Sequence, residues 1–345
     1  MKPRKIYLLP FSRLKLKNKI FEEPLFKSLR EFLLDNQVEI NTLDYFDYAK
    51  KNTEDVLVVL NHPGQSVIKR FIKRIRGILV GGSLAEEKYF FNYKKYFSFF
   101  SKKILYQGEP PTVSPISSHE LKWITRTYSK AFSVAKREGF DYFYFPTIQE
   151  KIIEPLFNNR ERGFITLINA NKEPASYENE LYSERLCAIK YFSEQGLDLY
   201  GMGWDTPIAF SAPFKQYIDK SFRGSTDDKY KTLSKYTFAI CYENGAFEWY
   251  ITEKLFDCFF TGTIPIYLGA PDIKKYVPSE CFIDFREFGS YEKLNTFLKG
   301  MTEAQIDAYR AAAAEYVTNS SQFKLFSMRH FGTTLLETIS HLDNK

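Results

Sequence analysis

The residues best placed to do chemistry fall in one run, Tyr236–Gly269, which reads YTFAICYENGAFEWYITEKLFDCFFTGTIPIYLG. An apolar strand carrying Phe238, Ile240 and Tyr242 ends in Glu243-Asn244-Gly245. After a short loop, the spacing predicts a helix that opens near Tyr250 with Thr252 in its first turn. Ile251, Leu255, Cys258 and Phe259 then share an apolar face. Tyr250, Glu253, Lys254 and Asp257 gather on the opposite face through their i,i+3 and i,i+4 relations. Gly262 stops this helix, and Thr263–Leu268 forms the next strand. Such a strand–loop–helix unit collects polar groups where a doubly wound sheet opens its ligand crevice. The helix N-terminus offers free N–H groups and a positive dipole end to a phosphate. Lys254 adds a full charge there, and Glu253 can accept hydrogen bonds from hydroxyl groups. By spacing alone, the same charged residues read equally well as a solvated helix face.

Three further segments hold candidates. In FITLINANKEPASYENELYSERLCAIKYF, a strand, a polar loop and a helix bring Arg185 into play. Its planar fork suits phosphate oxygens, and a surface pairing with Glu184 or Glu178 is the plainer reading. Leu197–Trp204 runs from a strand into a glycine turn at Gly201, which lets a backbone approach a nucleotide closely or simply turns the chain. In ILYQGEPPTVSP, an apolar strand ends at Gln107-Gly108-Glu109, and Pro110-Pro111 bars a helix from following directly. Glu109 is thereby held at a strand end. His62, after the buried strand that ends at Leu60, is a weaker candidate for lining a binding pocket.

These groups are positioned by alternating apolar runs and longer amphipathic segments, the pattern of α/β layers. The first half predicts strands at Ile6–Pro10, Val38–Leu43, Asp55–Leu60, Ile78–Val80, Lys103–Tyr106 and Asp141–Phe145. Its helices are expected at Glu22–Asn36, Gln65–Arg76 and His119–Arg137. The second half predicts strands at Phe164–Ile168, Leu197–Tyr200, Thr237–Tyr242 and Thr263–Leu268. Helices are expected there at Tyr177–Gln195, Tyr250–Phe260, Ser290–Lys299 and Thr302–Tyr316, and a last one at Gln322–Ser340. The polar segment Gln149–Gly163 separates the halves. A chain of 345 residues suits two such domains.

Composition narrows the partners. The net charge of +6 suits an anionic partner, whether nucleotide, membrane or nucleic acid, and no base-reading motif supports the last. The 33 Phe and 24 Tyr exceed what two cores usually need, which points to sugar faces or membrane interfaces, or to ring-rich cores. The basic segment Lys69–Arg76, with Phe90, Phe91, Tyr96, Phe97, Phe99 and Phe100 beyond it, suits peripheral contact with an anionic membrane or a solvated helix face. Four cysteines without close spacing or a His neighbour argue against zinc and against a disulfide framework. No apolar run reaches the ~18–20 residues of a membrane span, and the N-terminus is not a signal peptide, so a cytoplasmic setting is expected.

The run YENGAFEWYITEKLFDCFFTGTIPIYLGAPDI resembles the α-1,3-fucosyltransferases of glycosyltransferase family 10, bacterial type. The resemblance rests on an aromatic-Glu-Asn, then Tyr-Ile-Thr-Glu-Lys, then Gly-x-Ile-Pro-Ile with a Gly soon after. It is specific over about thirty-five residues, and thin in the first half of the chain. It implies an α/β fold of GT-B type, two Rossmann-like domains facing a central cleft. Residues 1–150 would bind the acceptor, residues 160–320 would bind a GDP-sugar donor, and a C-terminal helix in 321–345 would cross back to the first domain.

By the same resemblance Arg185, Gly201, Glu243, Asn244, Tyr250, Thr252, Glu253 and Lys254 become donor-site residues, with Lys254 on the diphosphate. Glu109 becomes the base, and His62 a weak acceptor-site candidate. The implied reaction moves L-fucose, or a related sugar, with inversion to a glycan or lipid-linked glycan hydroxyl. An α-1,3 linkage in surface polysaccharide or lipopolysaccharide is expected, with no metal and no cofactor, in the cytoplasm or at the inner membrane face. Another nucleotide-sugar donor on the same fold, or a non-catalytic glycan-binding protein on a transferase scaffold, are the alternatives.

Overall fold

Strand β1 (Lys5–Leu9) and strand β3 (Val56–Leu60) are nearly continuous apolar runs, KIYLL and VLVVL, buried along their length. That is the mark of parallel strands covered on both faces. With β2 (Glu39–Thr42), β4 (Lys102–Gln107), β5 (Lys130–Ser133) and β6 (Asp141–Tyr142) they form a parallel sheet in the order β2-β1-β3-β4-β5-β6. A second parallel sheet is built from β7 (Gly163–Ile168), β8 (Leu197–Tyr200), β9 (Tyr236–Tyr242), β10 (Ile264–Leu268) and β11 (Ile283–Asp284), in the order β11-β10-β9-β7-β8. The computed structural model describes residues 4–50, 52–62, 93–206 and 208–344. It divides into Met1–Ile148 with Phe326–Lys345, and Gln149–Leu325, one sheet in each unit.

Both sheets are doubly wound, so each has a point where strand order reverses and the carboxyl ends of neighbouring strands part. In the first unit this lies after β1 and β3, in the second after β7 and β9. The core of the second unit packs Leu167, Ile189, Phe192, Phe238, Ile240 and Ile266 around its sheet. Leu9, Leu57, Val59, Phe100, Leu105 and Ile124 do the same in part of the first.

The helix expected over His119–Arg137 is shorter. It covers Ser118–Thr127, opened by a Ser117–Glu120 capping box, and Lys130–Ser133 is strand β5. The open edge of β4 wins over local helix propensity, because in that register Phe132 stands beside Tyr106 and the rings stack at 4.8 Å. The helix expected from Tyr177 begins at Tyr182, where the Glu180 carboxylate accepts the N–H groups of Tyr182 and Ser183. The last helix is broken in two, Ser321–Lys324 and Met328–Asp343, with the Ser327 hydroxyl capping the second piece. That second piece belongs to the first unit. It lies against the helix Pro24–Asp35, where a Cβ on Gly332 would stand 2.4 Å from the Phe32 ring. Its Asp343 pairs with Arg4 and Lys102. The expected strand Ile78–Val80, helix Gln65–Arg76 and basic segment Lys69–Arg76, with Phe90 and Phe91, lie outside the described residues.

Gly201 closes the turn after β8 against the chain leaving β7. Its φ is +133°, and a Cβ there would lie 1.9 Å from the Asn169 carbonyl oxygen, which also accepts the Trp204 indole N–H at 2.7 Å. Neither the angle nor the space admits a side chain. Gly201→Ala should therefore cost about 3 kcal/mol or more of stability. Urea denaturation checks this, and an unchanged midpoint would contradict it.

Candidate active site

The segment after β9 is organised by a carboxylate with no solvent exposure. Glu243 accepts the Thr252 N–H at 2.8 Å, the Thr252 hydroxyl at 2.8–2.9 Å and the Lys254 ammonium at 3.1 Å. Room for it depends on Gly269, where a Cβ would come within 2.6 Å of Glu243 Cγ and 2.4 Å of the Tyr267 hydroxyl. Because Glu243 holds the Thr252 N–H, the helix opens at Glu253, three residues later than the spacing predicts, and Thr252 stands extended before it. It ends at Gly262 as expected.

Trp249 adopts φ +72°, with its N–H on Asp272, and Tyr250 is left in the loop, 2% exposed. The expected polar face is thus corrected at both ends. Tyr250 is off the helix and enclosed. Asp257 is buried in an ion pair with Lys229 at 2.7 Å. Thr252 gives its hydroxyl to Glu243, so neither of these two side chains meets solvent.

Three cations gather beside these groups. Arg185, Lys229 and Lys254 line one small recess at the carboxyl end of the second sheet, together with Asn169 after β7 and Tyr242 of β9. Arg185 is buried, and its Nε and Nη2 donate to the Tyr242 carbonyl at 3.1 and 2.6 Å, with Nη2 also reaching Asn244 Oδ1 at 2.9 Å. The surface pairing with Glu184 or Glu178 is not formed. The Lys254 ammonium also donates to Thr252 Oγ1 at 2.9 Å. Burial works against the charges on Lys229 and Lys254, but neighbouring carboxylates outweigh it and leave both ammonium groups above their ordinary value. Glu253 shows the reverse balance. Burial alone would raise its pKa, whereas Lys254 and Lys229 bring it down to about 2, so it is a hydrogen-bond acceptor at neutral pH.

The structure therefore brings together Arg185, Glu243, Asn244, Thr252, Glu253 and Lys254. Gly201 stands at the neighbouring turn after β8, in contact with Asn169. Lys229 and Asn169 were missed in the sequence reading. Lys229 lies in the charged stretch Asp227–Lys231, which carries no motif, and only the fold turns it toward the sheet. The recess is also lined by Cys241 and Cys258, distant in sequence yet with free thiols 3.3 Å apart. Among the described residues, no group of three or more His, Cys, Asp or Glu is placed to hold a metal ion.

In the first unit, Glu109 follows β4 and lines a cavity of about 230 Å³ with Asn61 and Tyr106. Asn61, at φ +57°, accepts the Gly108 N–H at 2.6 Å and ties the end of β3 to that of β4. Arg137 donates to the Glu109 carbonyl at 2.8 Å. Burial lowers this arginine to about 10, with the charge of Glu109 opposing that fall. His62 is 7% exposed, its N–H on Gln107 Oε1 and its ring stacked on Trp123 at 5.2 Å. It does not share the lining of the Glu109 cavity.

This architecture is matched by solved transferases over nearly the whole chain. A crystal structure of α1,3-fucosyltransferase superposes with a TM-score of 0.58 at 17% identity, covering 98% of this chain and 90% of that one. An α-glucosyltransferase in complex with UDP-glucose and DNA containing an abasic site gives 0.56 at 13% identity, covering 98% and 99%. The fold is GT-B. Residues 190–329 match the family model described as glycosyltransferase family 10 (fucosyltransferase) C-term.

Among relatives, it is 40% identical over 73 residues to an alpha-(1,4)-fucosyltransferase of Arabidopsis thaliana, covering 21% of this chain and 18% of that protein. It is 35% identical over 72 residues to the alpha-(1,3)-fucosyltransferase FucT of Helicobacter pylori, covering 21% and 15%. The match to human alpha-(1,3)-fucosyltransferase 7 is 35% over 83 residues, covering 23% and 24%. The matched stretches thus span less than a quarter of these proteins' own lengths.

Burial of His62, with Lys94 nearby, lowers its pKa from 6.5 to about 4. The folded state then binds fewer protons than the unfolded chain between these values. The contribution is complete above pH ~6.5 and is lost as pH falls toward 4, to a total of about 3 kcal/mol. Denaturation midpoints of the wild type should fall more steeply across this window than those of His62→Gln. Parallel profiles would show that His62 is not buried neutral.

Proposed function

We propose that the chain transfers L-fucose, or a closely related sugar, from a GDP carrier to a glycan hydroxyl with inversion at the anomeric carbon. The observation that carries this reading is the group of three cations, Arg185, Lys229 and Lys254, at the strand-order reversal of the unit that bears the family 10 region. Diphosphate charge grows there as the bond from the anomeric carbon to the phosphate oxygen breaks. Arg185 is held by the Tyr242 carbonyl and Asn244, so its guanidinium is oriented before any ligand arrives. Lys254 is likewise fixed by Glu243. Glu253, ionised and half-exposed, accepts from donor hydroxyls. Tyr250 and Thr252 shape the loop from within.

From the first unit, Glu109 takes the proton of the acceptor hydroxyl as its oxygen attacks. The products are GDP and the new glycoside. The cations supply the positive charge, and no bound metal takes part. An α-1,3 linkage in surface polysaccharide or lipopolysaccharide, formed in the cytoplasm at the inner membrane face, completes the reading. Among the described residues, no helix is long and apolar enough to cross a membrane.

Calorimetric titration in excess EDTA tests the donor half. GDP and GDP-fucose should bind, and UDP-glucose should bind more weakly. Preference for UDP-glucose would turn the reading to another donor on the same fold, and no nucleotide binding would leave a glycan-binding scaffold. Lys254→Ala should weaken GDP binding by about 10- to 100-fold, since a charged hydrogen bond contributes about 1.5–3 kcal/mol. It should also lower the melting temperature, because Glu243 loses its counter-ion. Unchanged GDP affinity in the folded variant would make Lys254 a partner of Glu243 alone.

Glu109→Gln separates the other half. Turnover should fall by ~10²-fold or more, the usual range for a lost general base, while GDP affinity stays near wild type. Near-normal turnover at saturating substrates would remove Glu109 from this role.

A further inference from the structure

The Glu109 cavity has a composition that a bare sugar does not explain. Besides Glu109 and Asn61, its walls include Phe26, Leu60, Phe143 and Phe331, an apolar lining at the carboxyl ends of the first sheet. A pyranose presents hydroxyl groups around its rim and would leave them unpaired against such walls. Within the same lining, the Tyr106 ring is held by Phe132, Phe143 and Phe331. A dry apolar cavity of roughly 150 Å³ already admits benzene. The cavity here, at about 230 Å³, holds a ring with a short linker or a short alkyl segment.

We propose that this cavity binds an apolar aglycone of the acceptor. The acceptor class is thus a glycoside of an aryl or alkyl alcohol rather than a free oligosaccharide. This rests on the transferase reading above, and on Glu109 sharing the lining, which sets the cavity next to the reacting hydroxyl.

The test pairs methyl and benzyl glycosides of the same sugars as acceptors, with GDP-fucose as donor. Burying the added ring should raise kcat/KM of the benzyl compound over the methyl one by ~10-fold or more. Leu25→Trp, which fills the cavity from a half-buried position in the helix Pro24–Asp35, should bring that ratio near one. Equal use of both glycosides by the wild type, or a preference that survives Leu25→Trp, overturns the inference.

If no glycoside of either kind is fucosylated, the transferase reading fails, and the cavity is judged on binding alone. Broadening of the ¹⁹F resonance of 4-fluorobenzyl alcohol by the wild type and not by Leu25→Trp upholds an apolar-ligand site. No broadening by the wild type overturns it.

Discussion

The second unit depends on one buried carboxylate. Glu243 has no contact with solvent, so its charge must be met by protein groups, and the Thr252 N–H, the Thr252 hydroxyl and the Lys254 ammonium meet it. Removing a partner from such an arrangement typically costs about 3–5 kcal/mol, because a charge is left uncompensated. The same bonds decide where the helix Glu253–Thr261 begins and where Lys254 points. Gly269 is the spatial condition for all of it. An arrangement that ties loop, helix start and cation to one group holds Lys254 rigidly, at the cost of tolerance to change at any of its members.

How much of this was legible in the sequence follows from the range of the forces involved. Strand runs such as VLVVL and YTFAICY, and the stop at Gly262, are local facts and were readable. The gathering of Arg185, Glu243, Asn244, Glu253 and Lys254 was reached through the resemblance, since spacing left a solvated face equally open. What escaped was decided at long range. Strand β5 exists because β4 offers an unpaired edge, which no helix propensity in Lys130–Ser133 can report. Asp257 turned inward because Lys229, 28 positions earlier, meets it. Tyr250 left the helix because Trp249 takes a left-handed backbone, fastened by Asp272.

The two units use one plan with opposite furnishing. Each sheet reverses strand order, and polar residues sit just past the strand ends nearby: Asn61 after β3 and Glu109 after the neighbouring β4 in the first, Asn169, Glu243 and Asn244 after β7 and β9 in the second. The recess of the second unit is edged by ammonium and guanidinium groups, whereas the cavity of the first is walled by aromatic rings. The likeness of backbone and the contrast of lining suit ligands of different chemistry, one highly charged and one largely neutral. A fold of this kind lets such preferences diverge without disturbing either core.

The position of the last helix gives the chain an order of assembly. Gln149–Leu325 is continuous in sequence, so every strand of its sheet is available once that stretch has left the ribosome. The unit of Met1–Ile148 is not complete at that moment. Its helix Pro24–Asp35 waits for Met328–Asp343, and its Arg4 and Lys102 wait for Asp343. Synthesis runs from the N-terminus, and domains ordinarily mature in that direction. Here the later-made unit can finish first, while the earlier one keeps an apolar helix face uncovered until Met328–Asp343 has been made. A chain cut before Met328 would carry a complete Gln149–Leu325 unit and a first unit whose helix Pro24–Asp35 lacks its cover.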